Sequence, residues 1–187
     1  MALPLPSLAC ATQRTLQPDT PLLVAGQTWR EAVHVDEGVI RLCLTDRAGR
    51  EFNKAFFLAG QQCFPLTASL RNTPSRFAIL SVGTCRLRTA PMERLIRTMD
   101  AGQWQRASMR ALERLLDDKL EREHVLLTLD ATARYRWLRR THPDWLDAIP
   151  LKHLASYLGM TDVSLSRIRR NERANAVPAS ASAPESR

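Results

Sequence analysis

Apolar residues in the first half of the chain alternate with polar ones at the two-residue period of β-strands. Residues 38–44 alternate most clearly, and residues 46–50 have the composition of a hairpin loop that leads into a second strand at residues 51–57. The apolar side chains predicted to share one face of the first strand are Ile40, Leu42 and Leu44. This segment therefore predicts a β-hairpin with one buried face.

A further pair of apolar stretches, residues 77–82 and 85–88, is separated only by Gly83 and Thr84. Two-residue connections are common in hairpins, so a second hairpin is predicted here. Several short strands at this spacing, within about residues 21–89, predict a barrel or roll.

After Pro91 the apolar spacing changes to three and four residues, which is typical of helices. A long helix is predicted over residues 101–128, with its regular pattern starting near Gln103. Its apolar seam consists of Met109, Leu112, Leu116, Leu120 and Leu127. On the other side Arg114, Asp118 and Arg122 stand four apart, and they are predicted to pair along the solvated face.

Residues 151–170 have the pattern of two short helices joined at one glycine. Leu154 and Leu158 give the first helix an apolar face, and Ala155 is small where the second helix must cross closely. Gly159 supplies the turn, because glycine adopts the left-handed backbone conformation cheaply at the end of a helix. The segment is therefore interpreted as a helix-turn-helix motif for DNA.

The second helix of this motif has two different faces. Thr161 is predicted to cap it, and at 100° per residue Leu165 and Ile168 point towards the core. The opposite face carries Val163, Ser166, Arg167 and Arg170.

An outward arginine can bond guanine O6 and N7 together in the major groove, so Arg167 is predicted to read a base. Thr161 and Arg170, at the edges, are predicted to hold phosphates. The same pattern also fits an ordinary helical hairpin with a solvated basic face.

A basic helix is predicted over residues 131–141, ahead of the motif, with Asp130 as its cap and Pro143 after its end. Its arginines are Arg134, Arg136, Arg139 and Arg140. From about Asn171 the chain has too little bulky apolar content to fold, and residues 172–187 are predicted to be a disordered tail.

Composition is compatible with a nucleic-acid partner. The 27 basic residues outnumber the 19 acidic ones, which gives a net charge of +8 and an isoelectric point near 10.2. Such an excess favours polyanions through counterion release. The longest apolar runs are far too short to span a bilayer, and the first residues do not have the pattern of a secretory signal. We therefore expect no membrane partner and a cytoplasmic location.

Cysteines and histidines are scattered, and neither type shows the spacing of metal ligands or of a catalytic triad. The four cysteines, at positions 10, 43, 63 and 85, are read as reduced thiols. We expect no metal site and no catalytic residues, because hydrolytic or redox chemistry would need titratable groups that converge. An enzyme is therefore the least favoured interpretation.

The order of a β-roll, a long helix and a helix-turn-helix resembles the Crp/Fnr family of bacterial transcription regulators. The resemblance covers nearly the whole chain and is carried by residues 38–42 with 49–51, by Arg134-Tyr135, and most specifically by residues 149–161 with 165–170. It implies that the roll senses a signal, that the long helix dimerises and that paired reading heads bind a palindromic promoter site, with RNA polymerase as a further partner. It places Asp162, Val163 and Arg167 at base-reading positions.

The loop at residues 60–78 departs from the members of that family that bind cyclic AMP. Those members hold ribose with a Gly-Glu pair and phosphate with an arginine followed by Ser or Thr, whereas this loop has no glutamate and Arg76 precedes Phe77. Arg71 and Arg76 are weak candidates for ligand contacts. Since a carboxylate and a paired arginine supply most polar recognition in such a pocket, cyclic-nucleotide binding is expected to be weak or absent and the effector is unknown.

Two further features of the family are not expected here. The sequence has no N-terminal cysteine cluster for an iron–sulfur centre, and no β-hairpin wing is expected after Arg170.

The predicted fold class is α+β, with a cyclic nucleotide-binding-like roll at residues 1–100, a dimerisation helix at 101–128 and a DNA-binding domain at 129–171. The seam of the long helix either packs on its own β-domain or joins two chains. The second is favoured because helix-turn-helix proteins usually read two half-sites.

The predicted function is that of a homodimeric transcription regulator that binds double-stranded DNA. The alternative is a signalling or interaction module whose basic helices bind a protein or an anionic surface.

Overall fold

The computed structural model describes residues 11–176, and its fold class is α+β, as predicted. A β-roll comes first, a 28-residue helix follows, and a helix-turn-helix domain comes last. No helix in the described part of the chain is both long and apolar enough to cross a membrane.

The roll is made of two four-stranded sheets. Its strands are β1 (Thr12–Leu16), β2 (Pro21–Leu23), β3 (Glu31–Glu37), β4 (Val39–Thr45), β5 (Glu51–Leu58), β6 (Gln62–Cys63), β7 (Ala78–Ser81) and β8 (Cys85–Pro91). One sheet has the order β1-β8-β3-β6 and the other has the order β2-β7-β4-β5, and every pairing between strands is antiparallel.

Seven helices are present within residues 11–176. They are α1 (Ala68–Asn72), α2 (Met92–Thr98), α3 (Ala101–Thr128), α4 (Ala131–Thr141), α5 (Trp145–Ala148), α6 (Leu151–Tyr157) and α7 (Asp162–Ala176). At 1.5 Å per residue the 28 residues of α3 span about 42 Å.

The hairpin predicted from residues 38–57 is confirmed as β4 and β5, and its loop is closed by the Asp46 carboxylate, which accepts from two backbone N–H groups. The predicted position of Leu44 in the core is wrong. The pairing shifts between Leu42 and Cys43, so the alternation of faces is interrupted there. Cys43 is buried as a result, and Leu44 is 39% exposed.

The hairpin predicted around Gly83 and Thr84 is also wrong. Strand β7 pairs with β2 and β4, whereas β8 pairs with β1 and β3 in the other sheet. These two residues therefore form a corner between the sheets. A two-residue spacing allows a hairpin, but the pairing partner of each strand is decided by distant segments that also need to bury their apolar faces.

The interior of the roll and the core of the C-terminal domain are separate apolar clusters. Trp29 and Phe77 meet edge to face inside the roll, with their ring centroids 5.6 Å apart. In the C-terminal domain α4, α6 and α7 bury Leu138, Leu154 and Leu165 completely.

Two residues of the roll, Val39 and Phe56, belong to this second cluster, and the Phe56 ring contacts Trp145. The outer face of the β4–β5 pair therefore forms one wall of the core of the C-terminal domain.

Helix α7 continues beyond the predicted boundary of the tail. Residues 172–176 are helical, whereas a disordered tail was predicted from residue 172. The extra turn is supported by Glu172, whose carboxylate accepts from the Arg136 guanidinium at 2.8 Å. Residues 177–187, the remainder of the predicted tail, lie outside the described residues.

Candidate nucleic-acid interface

The turn between α6 and α7 is closed by two backbone hydrogen bonds around Gly159. Met160 N–H donates to Ala155 C=O at 3.0 Å, and Gly159 N–H donates to Ser156 C=O at 3.3 Å. This pattern requires a left-handed residue after the helix, and Gly159 has φ +67°. The predicted role of this glycine is confirmed, and the turn directs α7 across α6.

Thr161 caps α7, as predicted. Its Oγ1 accepts from Ser164 N–H at 3.1 Å and donates to Ser164 Oγ at 2.9 Å. A contact from Thr161 to a phosphate therefore requires its hydroxyl proton to turn away from Ser164.

The outward face of α7 is free. Val163 is 76% exposed, whereas Leu165 on the opposite side is 0% exposed. All six predicted DNA-binding residues lie on the exposed surface, namely Thr161, Asp162, Val163, Ser166, Arg167 and Arg170. Within residues 11–176, Arg167 and Arg170 form neither an ion pair nor a side-chain hydrogen bond. Their guanidinium groups are therefore available to a partner.

The basic helix α4 offers fewer free cations than its sequence suggests. Arg134 turns inwards and donates to three carbonyls, those of Leu126, Leu129 and Leu158. Arg136 and Arg139 both contact Glu172, and hydrogen bonding to Arg136 lowers the pKa of this carboxyl group. Arg134 therefore connects the end of α3 to the turn between α6 and α7.

The predicted seam of α3 is not covered by its own chain. Leu127 is 77% exposed, and the exposed fractions of Met109, Leu116 and Leu120 are all above one half, while Leu112 is partly buried. On the opposite side, Ala111 and Val125 are buried against the rest of the chain. The seam therefore does not pack on the chain's own β-domain, which was the other predicted arrangement.

Pairing along the solvated face of α3 was predicted wrongly. Arg114 donates to Arg110 C=O, and the Arg122 guanidinium turns inwards to the carbonyls of Asn53 and Tyr157. Spacing of four residues permits ion pairs on a helix, but backbone carbonyls compete for the same arginines. The competing carbonyl belongs to α3 itself for Arg114, and the competing carbonyls belong to β5 and α6 for Arg122.

Asn53 joins the roll, the long helix and the reading motif. It is 2% exposed, and its side-chain amide donates to His153 C=O at 3.1 Å and lies 3.3 Å from His153 Nδ1. Its backbone N–H donates to Ser156 Oγ at 3.0 Å, and its C=O accepts from Arg122 at 3.2 Å. These bonds fix α6, the first helix of the helix-turn-helix, against the sheet.

A cleft of about 500 Å³ lies beside this junction and is lined by residues of both the roll and α6. Arg41 projects from β4 at its base and is only 3% exposed. Its guanidinium bonds Glu51 at 2.7 Å and Asn53 at 3.2 Å, while Asp19 lies 3.5 Å away. The buried charge is therefore paired, as a cation in this position must be.

His153 is held neutral in this junction. Burial lowers the pKa of His153 to about 4, and the charges of Arg41 and Lys152 act in the same direction. Protonation at Nδ1 would also remove the acceptor that faces the Asn53 amide. The contact between the roll and α6 therefore depends on an uncharged His153 imidazole.

Acidification is expected to weaken the folded state through this histidine. The unfolded chain takes up the proton near pH 6.5, so stability that is complete above pH 6.5 is lost as the pH falls towards 4, by about 3 kcal/mol. Urea denaturation at pH 7 and at pH 4.5 measures this loss. His153→Gln keeps a hydrogen-bond acceptor and cannot titrate. This variant is therefore expected to lose less stability between pH 7 and pH 4.5 than the native chain. An equal loss in the two proteins would remove His153 as the cause.

Arg71 and Arg76, the weak candidates for ligand contacts, do not line the cleft of about 500 Å³ beside α6. The Arg71 guanidinium donates to the carbonyls of Pro65 and Leu66, and Arg76 is exposed. A cavity of about 130 Å³ in the roll is lined by neither of them. Pockets that bind drug-sized ligands usually have about 300–1,000 Å³, so this cavity is too small for a nucleotide.

Sequence reasoning missed the polar junction of Arg41, Asn53, His153 and Ser156. The available signal was Arg41, which stands between Ile40 and Leu42, together with Asn53, which follows Phe52 in the next strand. Such residues indicate a strand whose outer face is covered and not solvated. Within residues 11–176, no three His, Cys, Asp or Glu side chains come together as metal ligands.

Solved structures of bacterial regulators share this architecture over 90–92% of the chain. FixK2 from Bradyrhizobium japonicum has a TM-score of 0.76 at 20% identity, and the match covers 92% of this chain and 89% of FixK2. CLP from Xanthomonas campestris, a c-di-GMP-responsive global regulator, has a TM-score of 0.68 at 18% identity, with 90% and 89% covered. TTHB099 from Thermus thermophilus, a transcriptional regulator of the CRP family, has a TM-score of 0.65 at 16% identity, with 90% and 88% covered.

The resemblance to the Crp/Fnr family is therefore confirmed at the level of the fold. A comparison of sequences alone finds no matching family model and no matching curated protein, so the similarity lies in the structure.

Proposed function

We propose that this chain is a DNA-binding transcription regulator, which acts as a homodimer and reads a two-fold symmetric promoter site with α7. The single observation that carries the proposal is the unoccupied outward face of α7, opposite a fully buried Leu165. Structural neighbours that are described as transcription regulators support it.

Each side chain on this face has a chemistry that suits the major groove. The Arg167 guanidinium can bond guanine O6 and N7 together, and the exposed Val163 methyl groups can contact a thymine methyl. Arg170 and the Thr161 hydroxyl, at the edges, are assigned to phosphates, which set register without reading sequence.

The homodimer is proposed from the exposed seam of α3. Four large apolar side chains on one stripe are more than half exposed, which is costly for a helix that faces water on that side. A second copy of α3 would cover the stripe and bring two reading heads together, as a palindromic site requires. RNA polymerase is proposed as a further partner only through the family resemblance.

Selection of bound sites from random DNA tests this function directly. Purified full-length chain is expected to enrich a motif made of two inverted half-sites. If the chain binds DNA but enriches no sequence, the attraction comes from its charge alone. That result would favour the alternative, an interaction module in which the helix-turn-helix is purely structural.

A further inference from the structure

The last turns of α7 lie beyond the residues assigned to DNA, and an ion pair holds them against α4. The buried stripe of α7 passes through Leu165 and Ile168, which pack in the C-terminal core, and its next position is Glu172. The Glu172 side chain is only 10% exposed, so an acidic group stands where the spacing predicts an apolar residue. A carboxylate that is covered to this extent needs a cationic partner.

That partner is Arg136 of α4. Its Nε donates to the two carboxylate oxygens of Glu172 at 3.2 and 3.1 Å, and its Nη2 donates to Oε1 at 2.8 Å. A second cation, the Arg139 guanidinium, lies 4.0 Å from Glu172 Oε2. We refer to Arg136 and Glu172 as the α4–α7 ion pair.

The α4–α7 ion pair determines geometry more than stability. Desolvation offsets most of the attraction in a covered ion pair, and apolar side chains of similar volume often stabilise such a position equally well. Apolar side chains tolerate small rotations and shifts, whereas a guanidinium and a carboxylate that share several hydrogen bonds have one favourable arrangement. The pair therefore fixes where the end of α7 lies.

The outward face of α7 continues past Arg170 to Arg173. At 100° per residue Arg173 stands about 20° from the line of Ser166, two turns further along the helix. Arg173 is exposed, and within residues 11–176 it forms no ion pair and no side-chain hydrogen bond. Because it directly follows Glu172, the α4–α7 ion pair sets the position from which its side chain starts.

Distance along the helix assigns Arg173 to the DNA backbone and not to the bases. Arg173 lies ten residues after Val163, which is about 15 Å along the helix axis. The major groove is about 12 Å wide and curves around the duplex, and recognition helices read bases with their N-terminal residues. A straight helix that brings Val163 and Arg167 to base edges therefore leaves the groove near Arg173, where phosphates border it.

We propose that the last turns of α7 form a phosphate-binding extension of this helix, in which Arg173 contacts a backbone phosphate and the α4–α7 ion pair holds it there. The inference rests on the proposed function, because it adds a contact to the same operator. Arg173 binds DNA directly, whereas Arg136 and Glu172 are positioning residues. Each half-site is then held near both ends of α7, by Thr161 at its start and by Arg173 near its end.

Titration of the selected operator over a range of salt concentrations tests the contact. Arg173→Ala removes one phosphate contact from each half-site, so the slope of log Kd against log salt concentration should fall by about 0.9 for each half-site. The Kd at one salt concentration should rise about tenfold or more. Arg94→Ala removes an exposed arginine from α2 and should change neither quantity.

Reversal of the charge at Glu172 tests the positioning role through the sign of its effect. Glu172→Arg makes the chain more basic, which by charge alone would tighten binding to DNA. We expect a weaker complex instead, because the new cation faces Arg136 and Arg139 and displaces the end of α7.

Exchange of the two charges provides the rescue. Adding Arg136→Glu to Glu172→Arg restores an ion pair, so affinity should return even though the second change makes the chain less basic. Glu93→Arg, on α2, makes the same change of charge away from α7 and should not weaken binding.

A double-mutant cycle separates the positioning of Arg173 from a general disturbance of α7. If Glu172→Arg acts through Arg173, it should cause little further loss of affinity in the Arg173→Ala background, whereas a disturbed helix would add a loss of its own. Arg173 also lies in the last turn of α7, where a cation suits the helix dipole, so the melting temperature of each variant is measured as well.

Native affinity and native salt dependence in Arg173→Ala would overturn the inference. If Arg167→Ala relaxes base preference in the same assays, the proposed function stands without it. A weaker complex of Arg173→Ala with an unchanged salt slope would also overturn the inference, since the loss would then come from the stability of the helix end. Tighter operator binding by Glu172→Arg would remove the positioning role, and selection that enriches no sequence would overturn this inference together with the proposed function.

Discussion

Replacement of Arg167 by alanine is expected to relax base preference at one position of each half-site and to weaken binding to the preferred operator. The expected loss is about 1–3 kcal/mol, or roughly 5- to 150-fold, for each half-site. Because both chains of the dimer carry the substitution, the Kd for the whole operator is expected to rise roughly 30-fold or more. Arg167 is exposed on α7 and makes no side-chain bond within residues 11–176, so its removal should leave the fold unchanged. Fluorescence polarisation with operators that vary at each position, at one salt concentration, measures both effects.

Two other arginines provide the comparison. Arg170→Ala should weaken binding to all sequences alike and reduce the salt dependence by about one phosphate contact for each half-site. Arg97→Ala, on α2, removes an exposed arginine away from α7 and should change neither quantity. If Arg167→Ala retains both its affinity and its base preference, Arg167 does not read a base.

Replacement of Leu120 by glutamate is expected to convert the dimer into a monomer and to lower operator affinity by two orders of magnitude or more. Leu120 is 56% exposed and lies in the middle of the apolar stripe of α3. Each leucine side chain buried in a dimer contributes about 1.5–3 kcal/mol, and the substitution also places like charges face to face. The loss in affinity follows because a monomer reaches only one half-site.

Sedimentation equilibrium measures the association, and titration of the operator measures the affinity. Arg110→Glu introduces the same carboxylate on the solvated side of α3 and should leave the dimer intact. Since Leu120 is exposed in the single chain, the variant should fold normally, which circular dichroism verifies. A Leu120→Glu protein that sediments as a dimer would contradict the assignment of the seam.

The helix-turn-helix of α6 and α7 could be predicted from sequence because the residues that determine it act locally. Gly159 fixes the turn, Thr161 fixes the start of α7, and the positions of Leu165 and Ile168 fix which face is buried. Each of these effects acts within one or two helical turns, so no knowledge of distant segments is needed.

The contacts between the domains could not be predicted in this way. Arg41 lies in a cleft beside Lys152 and His153 of α6, a helix that packs on the neighbouring strand β5 and comes about a hundred residues further along the chain. A pattern of apolar and polar residues treats arginine as solvated, yet Arg122 and Arg134 both turn inwards to carbonyls. Pairing of β7 and β8 with different sheets likewise follows from long-range register.

The ratio of two dissociation constants tests sequence-specific reading most directly. The selected operator and a scrambled duplex of equal length and composition are titrated with the native chain at one salt concentration, and the stoichiometry is measured with each. A dimer that reads bases through α7 predicts two chains per operator and a ratio of roughly a thousand or more. Equal affinity for the two duplexes would contradict it, because the charge of the chain alone attracts both in the same way.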